Sequence, residues 1–129
     1  MNSWLDHLQN NELDCSLSLR EFAERVDSID EPRFGEFELR WRQRIGQQEN
    51  ARVEIAKLMN SVNPLFIPRN HRVAQAIEQA IEQVATGDLT VFEELNTVLS
   101  QPYSEQPTLL HYAEAPEPSE RVTHTFCGT

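Results

Sequence analysis

The chain has 129 residues, and a chain of this size buries about two thirds of its unfolded surface, which suffices for a hydrophobic core. Its net charge of −10 is uneven: residues 1–73 carry 12 acidic and 10 basic side chains, whereas residues 74–129 carry nine acidic side chains and Arg121 alone. Nucleic-acid-binding surfaces need clustered Lys and Arg, so this balance argues against a nucleic-acid partner. The longest uncharged run, residues 58–68, is far shorter than the roughly 20 apolar residues of a membrane span, and no signal sequence precedes it. We therefore expect a soluble cytoplasmic protein without a membrane partner.

Apolar residues at helical spacing predict four helices before residue 63. Ser18 and Glu21 have the spacing of a capping box, which predicts that the second helix begins at Ser18. The third helix carries an aromatic and aliphatic stripe and is expected to end at Gly46. The four stripe residues are Phe34, Phe37, Trp41 and Ile45.

Charged residues beside this stripe form i,i+4 pairs, Glu36 with Arg40 and Glu38 with Arg42. Acidic and basic residues alternate there, so we expect a solvated face rather than a phosphate site. The fourth helix is predicted over residues 47–62, with Ala51, Ile55, Leu58, Met59 and Val62 facing inward.

The proline corner, Asn63–Arg72, separates two groups of helices. Pro64 and Pro68 each lack an N–H and push the preceding residue toward extended geometry, so no helix runs through it. Its apolar centre, residues 65–67, is expected to be buried.

Two more helices follow the corner. The fifth is predicted over residues 69–86 and has the strongest apolar pattern, which includes Ile77, Ile81 and Val84. Gly87 is expected to close it, and Asp88 to cap a sixth helix immediately afterwards.

Four of the seven prolines lie beyond residue 101, so the segment is expected to be an extended tail, with a weak strand signal from Val122 to Phe126. The predicted fold is an all-α bundle of five or six helices over residues 1–100, with an extended Pro-rich C-terminal tail over residues 101–129.

The sequence alone supports no complete active site. Its glycines are scattered, and its four histidines lack metal-ligand spacing, so we assign no catalytic, cofactor-binding or metal-ligating residue. Cys15 is expected to be a small buried residue in a connector. Cys127, near the C-terminus, either is an accessible thiol that forms a disulfide or has no role.

Several segments together resemble the selenoprotein O (SelO) family. The signature Asn63-Pro64-x-Phe66-Ile67-x-Arg69-Asn70 is followed by Gly87-Asp88 and then by Pro102-Tyr103-x-Glu105-Gln106-Pro107, in the order of the family's C-terminal region. Cys127 followed by two small residues is similar to the family's terminal Cys-Ser-Ser. Pro68 and His71-Arg72 depart from the more apolar residues of the family.

The resemblance implies a kinase-like protein adenylyltransferase that uses ATP and Mg²⁺ or Mn²⁺ to transfer AMP to hydroxyl side chains of proteins. The nucleotide and metal sites lie upstream in the family, so this chain corresponds to a C-terminal helical segment whose partner is the rest of its own catalytic domain. Cys127 then matches a redox-sensitive thiol that pairs with a cysteine of the catalytic part. The alternative is a free-standing helical adaptor that binds a protein through its acidic second half.

Overall fold

The computed structural model describes residues 3–123, and helices are the only regular structure in that range. Two short 3-10 helices, Pro107–Ala113 and Pro118–Glu120, follow six α-helices. The α-helices are α1 (Ser3–Asn10), α2 (Cys15–Glu24), α3 (Gly35–Gly46), α4 (Arg52–Val62), α5 (Asn70–Glu82) and α6 (Thr90–Ser100). The all-α prediction is confirmed; five or six helices were expected, and the described residues form six α-helices and two 3-10 helices.

The chain divides into two compact units, Met1–Pro64 and Leu65–Thr129. The expected division into a helical domain over residues 1–100 and a tail over 101–129 stays a prediction.

An aromatic cluster forms the core of the first unit. Trp4, Phe22 and Phe34 are buried, and Phe37 and Trp41 pack against them. The ring centroids of Phe22 and Trp41 lie 4.1 Å apart in a tilted arrangement. Such aromatic pairs add about 0.5–1.5 kcal/mol beyond the burial of their area. The predicted stripe on α3 therefore faces the core.

The start of α2 differs from the prediction. Asp14, not Ser18, is the N-cap, and its carboxylate accepts a hydrogen bond from the backbone N–H of Leu17 at 2.9 Å. Ser18 lies inside the helix and is buried, and Cys15 opens the helix and is exposed. An aspartate caps a helix as well as a serine does, so either site could have begun it.

Glu38 is the main departure from the expected solvated face of α3. Its side chain is fully buried and bonded to the Arg25 guanidinium at 2.8 Å, to Arg42, and to the backbone N–H of Phe34 at 3.0 Å. Burial by itself raises the pKa of Glu38, but these hydrogen bonds outweigh it and hold the pKa below its ordinary value. The Glu36–Arg40 pair is exposed, as expected.

In the second unit, α5 and α6 pack against each other, and the first 3-10 helix contacts α6. The buried residues include Phe66, Ala76, Leu95, Val98 and Tyr112. The Tyr112 hydroxyl donates to the Glu94 carboxylate at 2.7 Å. Burial and this carboxylate raise the pKa of Tyr112 to about 12.

Part of the predicted core is exposed. Ile77, Ile81 and Val84 are 55%, 70% and 80% exposed, although their spacing is the most regular in the chain. Leu58 and Val62 of α4, predicted to face inward, are also exposed. Periodicity identifies an apolar face of a helix but not whether another element covers it.

Helix ends also differ from the predictions. Gly46 is the last residue of α3 rather than a terminator beyond it, and residues 47–51 precede α4. Gly87 has a left-handed φ of +69°, as expected for a glycine between helices, but α5 ends earlier, at Glu82. The prediction that Asp88 caps α6 is wrong: the N-cap residue is Leu89, and no side chain caps the helix among the described residues. The Asp88 carboxylate instead accepts from the backbone N–H of Thr90 at 3.0 Å.

The tail is less extended than expected because Pro107 and Pro118 each begin a 3-10 helix, a position that suits their fixed φ. Val122 and Thr123, the described part of the predicted strand, have no regular structure. Phe126 and Cys127 lie outside the described residues. Across residues 3–123, every helix is too short or too polar to span a bilayer.

Candidate functional site around the entrance of helix α5

Asn63 ends α4 in the first unit. Its side-chain amide donates to the Met59 carbonyl oxygen at 2.8 Å, and its own carbonyl accepts from the buried Arg20 guanidinium at 3.2 Å. Arg20 also donates to the Asn60 carbonyl at 3.1 Å. These contacts lie at the C-terminal end of α4, immediately before Pro64.

In the second unit, hydrogen bonds join the two signature segments. The carbonyl oxygen of Pro102 accepts from the backbone N–H of Leu65 at 2.8 Å and from that of Phe66 at 3.1 Å. Phe66 is only 1% exposed. A turn after α6 is thus fixed to the chain that leads into α5, and two motifs about 40 residues apart in the sequence are in contact.

Arg69 is the N-cap residue of α5 and is buried, at 6% exposed. Its backbone is extended, with φ −71° and ψ 129°, and its carbonyl accepts from the N–H of Val73 at 3.0 Å. No side chain caps the helix among the described residues. The first-turn N–H groups therefore point out of the helix without an internal acceptor.

The other signature residues are less enclosed. Asn70, the first residue of α5, is exposed, as are Tyr103 and Pro107. Pro107 opens the first 3-10 helix. Among the predicted positions, the structure brings together Phe66 and Pro102, while Cys127 lies outside the described residues.

His71 is the residue of this region that sequence reasoning missed. Its imidazole is only 4% exposed, and its Nε2 atom has no hydrogen-bond partner among the described residues. Burial and the positive charges of Arg72 and Arg69 lower the pKa of His71 below its ordinary value of 6.5, while Glu120 acts in the opposite direction. The ring is therefore neutral near pH 7. The available sequence signal was its place in the polar run Arg69-Asn70-His71-Arg72 that follows Pro68.

Two open cavities adjoin His71. One of about 250 Å³ is lined by residues of the α5 entrance and by Pro116 and Glu120. The other, of about 320 Å³, lies between α5 and the segment around Pro118–Glu120. We call residues 67–71 with Pro116 and Glu120 the α5 entrance site. Its wall combines cationic, neutral-polar and carboxylate groups.

A larger, apolar cavity of about 590 Å³ lies in the first unit. Aromatic and aliphatic side chains dominate its lining, with Gln48, Asn50 and Glu54 as the polar exceptions. Both tryptophans of the chain, Trp4 and Trp41, contribute to its wall. Cavities of this volume with a mostly apolar lining are typical of small-molecule binding sites.

The described residues offer little for metal chemistry. Within residues 3–123, no three His, Cys, Asp or Glu side chains are grouped as metal coordination requires.

Curated relatives match most of the chain. A protein nucleotidyltransferase YdiU from Rhizobium johnstonii is 43% identical over 136 aligned positions, which cover 97% of this chain and 27% of the relative. The protein of the same name from Bradyrhizobium diazoefficiens is 38% identical over 97% of this chain and 27% of its own length. That from Rhizobium leguminosarum bv. trifolii is 55% identical over 89 residues, which cover 69% of this chain and 17% of the relative.

The chain thus spans between about a sixth and about a quarter of the length of these relatives. No protein-family model matches it, and no solved structure matches it. The near-complete coverage of this chain at these identities identifies its family. The chain belongs to the SelO family of protein nucleotidyltransferases.

Proposed function

We propose that this chain is the C-terminal helical segment of a protein adenylyltransferase that transfers AMP from ATP to hydroxyl side chains of proteins. The observation that carries the proposal is the match to a protein nucleotidyltransferase over 97% of the chain but only 27% of the relative. In this proposal the remaining, kinase-like part of the protein binds ATP and Mg²⁺ or Mn²⁺ and the protein substrates. The segment itself is structural and regulatory.

Exposed apolar side chains support a structural role. Ile77, Ile81 and Val84 follow one another along the second half of α5 and the turn after it, and each is more than half exposed. Soluble proteins rarely leave such residues together in water unless a partner covers them. We propose that the kinase-like part of the same protein covers this surface and that the segment stabilises it.

The regulatory role is assigned to Cys127. By resemblance to the family, its thiol pairs with a cysteine of the catalytic part under oxidising conditions, when the two thiols lose two protons and two electrons to an oxidant. The thiolate is the reactive form of a cysteine in such an exchange.

A hybrid enzyme tests the proposal. The matching quarter of the Rhizobium johnstonii relative is replaced by this chain, and AMP transfer from ATP to protein is measured with Mg²⁺ or Mn²⁺. We expect activity from the hybrid and none from the relative lacking that quarter or from this chain alone. A folded but inactive hybrid, or AMP transfer by the isolated chain, would contradict the proposal.

Cys127 is tested in the same hybrid. Cys127→Ser is expected to remove the effect of a thiol oxidant on AMP transfer and to leave the activity of the reduced enzyme unchanged. Cys15→Ser is the matched control because Cys15 is the other cysteine of the sequence and is exposed. An unchanged response to the oxidant in Cys127→Ser would refute the redox role.

The alternative function is an adaptor that binds a basic protein through residues 74–129, which contain nine acidic side chains and one basic side chain. The gene distinguishes the two: a continuous reading frame for the remaining three quarters of the relatives' length supports the enzyme segment. A frame of 129 codons with its own ribosome-binding site supports the adaptor.

A further inference from the structure

The entrance of α5 combines several features of an anion site. The 13-residue helix has no side-chain cap, so the N–H groups of its first turn have no acceptor from a capping residue in the described chain. A helix N-terminus carries about half a positive charge, and its N–H groups bind phosphate and related anions. The buried Arg69 adds a full positive charge to the cavity wall at this end.

His71 provides the independent observation that a ligand belongs here. It lines the cavity, is more than nine-tenths buried, and has an Nε2 atom without a hydrogen-bond partner. A buried polar atom left without a hydrogen-bond partner destabilises a protein. A ligand in the cavity that offers a hydrogen-bonding atom removes this cost.

The carboxylate of Glu120 favours an anion that still carries a proton. This carboxylate lines the same cavity, and one oxygen accepts from the backbone N–H of Glu117 at 3.0 Å. A fully deprotonated anion is repelled by this carboxylate. At about pH 6 a large fraction of phosphate groups, whose second pKa is about 6, carries a proton that can be donated to Glu120.

We propose that the α5 entrance site binds a phosphate group, either free inorganic phosphate or a small phosphate monoester. The N–H groups of the first turn and Arg69 face its anionic oxygens, His71 hydrogen-bonds to it, and a protonated oxygen donates to Glu120. This proposal does not rest on the proposed function.

The experiment is a titration of the full chain at about pH 6 and constant ionic strength, followed by the amide signals of each residue in NMR spectra. Inorganic phosphate is expected to shift the signals of Asn70, His71 and Arg72 saturably. The start of α4 is the internal control, because it is also uncapped but contains Glu54 and no buried histidine. Equal shifts at both helix starts, or shifts that do not saturate, indicate an adventitious ion only and overturn the proposal.

Two variants test the named contacts. Asn70→Pro removes one N–H donor at the first helical position, where proline is tolerated, and the extended backbone of Arg69 suits a following proline. His71→Phe removes the ring nitrogens and keeps an aromatic ring. Each is expected to weaken phosphate binding about tenfold, the effect of one hydrogen bond to a charged group. Circular dichroism checks that each variant is folded, and unchanged binding by both folded variants refutes the site.

Titrations with sulfate and with O-phosphoserine test whether the ligand is a phosphate group and whether it is free phosphate or a monoester. Sulfate, which has no proton to donate to Glu120 at this pH, is expected to bind more weakly than phosphate, and equal binding overturns the assignment to phosphate. Tighter binding of O-phosphoserine than of inorganic phosphate supports a monoester as the ligand, and weaker binding supports free phosphate.

Discussion

The backbone N–H of Phe66 donates to the carbonyl oxygen of Pro102 at 3.1 Å, and this bond links the two signature segments of the second unit. The same oxygen accepts from the neighbouring Leu65 at 2.8 Å, so both lone pairs of one carbonyl are used. Because Phe66 is also buried, the approach to α5 is held by backbone bonds and by packing together.

Phe66→Ala tests the packing. Phe66 is 1% exposed, and replacing a buried phenylalanine with alanine destabilises a protein by about 3–5 kcal/mol. We expect a loss of this size in the free energy of unfolding, measured with urea. Phe92→Ala, which removes the same side chain from a position that is 53% exposed, is the matched control and should cost much less. Similar losses in the two variants would contradict the buried position of Phe66.

Glu38→Gln tests the buried carboxylate of the first unit. The change keeps the shape of the side chain but leaves the Arg25 and Arg42 guanidinium groups without their shared negative charge. Breaking a buried ion pair from one side costs about 3–5 kcal/mol. Glu36→Gln is the control on the same helix, since the Glu36–Arg40 pair is exposed and 3.9 Å long and should contribute little. Equal stabilities of the two variants would refute the role of Glu38.

Because the pKa of His71 is lowered in the folded chain, we expect the free energy of unfolding to depend on pH. The dependence lies between that lowered pKa and about 6.5, the ordinary value of a histidine in the unfolded chain. In that window the unfolded chain binds more protons, so the free energy of unfolding falls as the pH falls and is fully recovered above about pH 6.5. Urea unfolding at a series of pH values should show this slope. His71→Phe should reduce it, whereas His111→Phe, at an exposed position, should leave it unchanged.

Tyr112 predicts a second pH effect, at alkaline pH. Its pKa is raised to about 12, so the folded chain retains the phenolic proton above pH 10, where the unfolded chain loses it. Stability should therefore decline as the pH rises from about 10 to about 12. Absorbance of the ionised phenol reports the titration directly. A Tyr112→Phe variant that keeps the same decline would contradict this assignment.

Gly87→Ala and Gly46→Ala should have opposite effects. Gly87 has a φ of +69°, and an alanine in the left-handed region is destabilised by about 1–2 kcal/mol, although there is open space for its Cβ. Gly46 ends α3 without a positive φ, and a Cβ there meets only the Arg52 guanidinium at 3.8 Å. Alanine is favoured over glycine within a helix by up to about 1 kcal/mol, so thermal unfolding should show a gain at Gly46 and a loss at Gly87.

The sequence by itself determined the helical class, the six α-helices and the family, because apolar periodicity and the Asn63–Asn70 and Pro102–Pro107 signatures are local properties of the chain. It also identified Phe34 and Ile45 as core residues, since a stripe of large side chains on one face of a helix must find cover somewhere.

Only the tertiary structure decided which faces are covered and which polar groups are enclosed. Glu38 is buried because Arg25, from outside its own helix, comes within 2.8 Å, and no i,i+4 pattern contains that information. Ile77 and Ile81 are exposed despite their helical spacing because no described element of their unit covers that face. His71 and Glu120 line one cavity although 49 positions of sequence separate them, so the α5 entrance site exists only once the chain has folded back on itself.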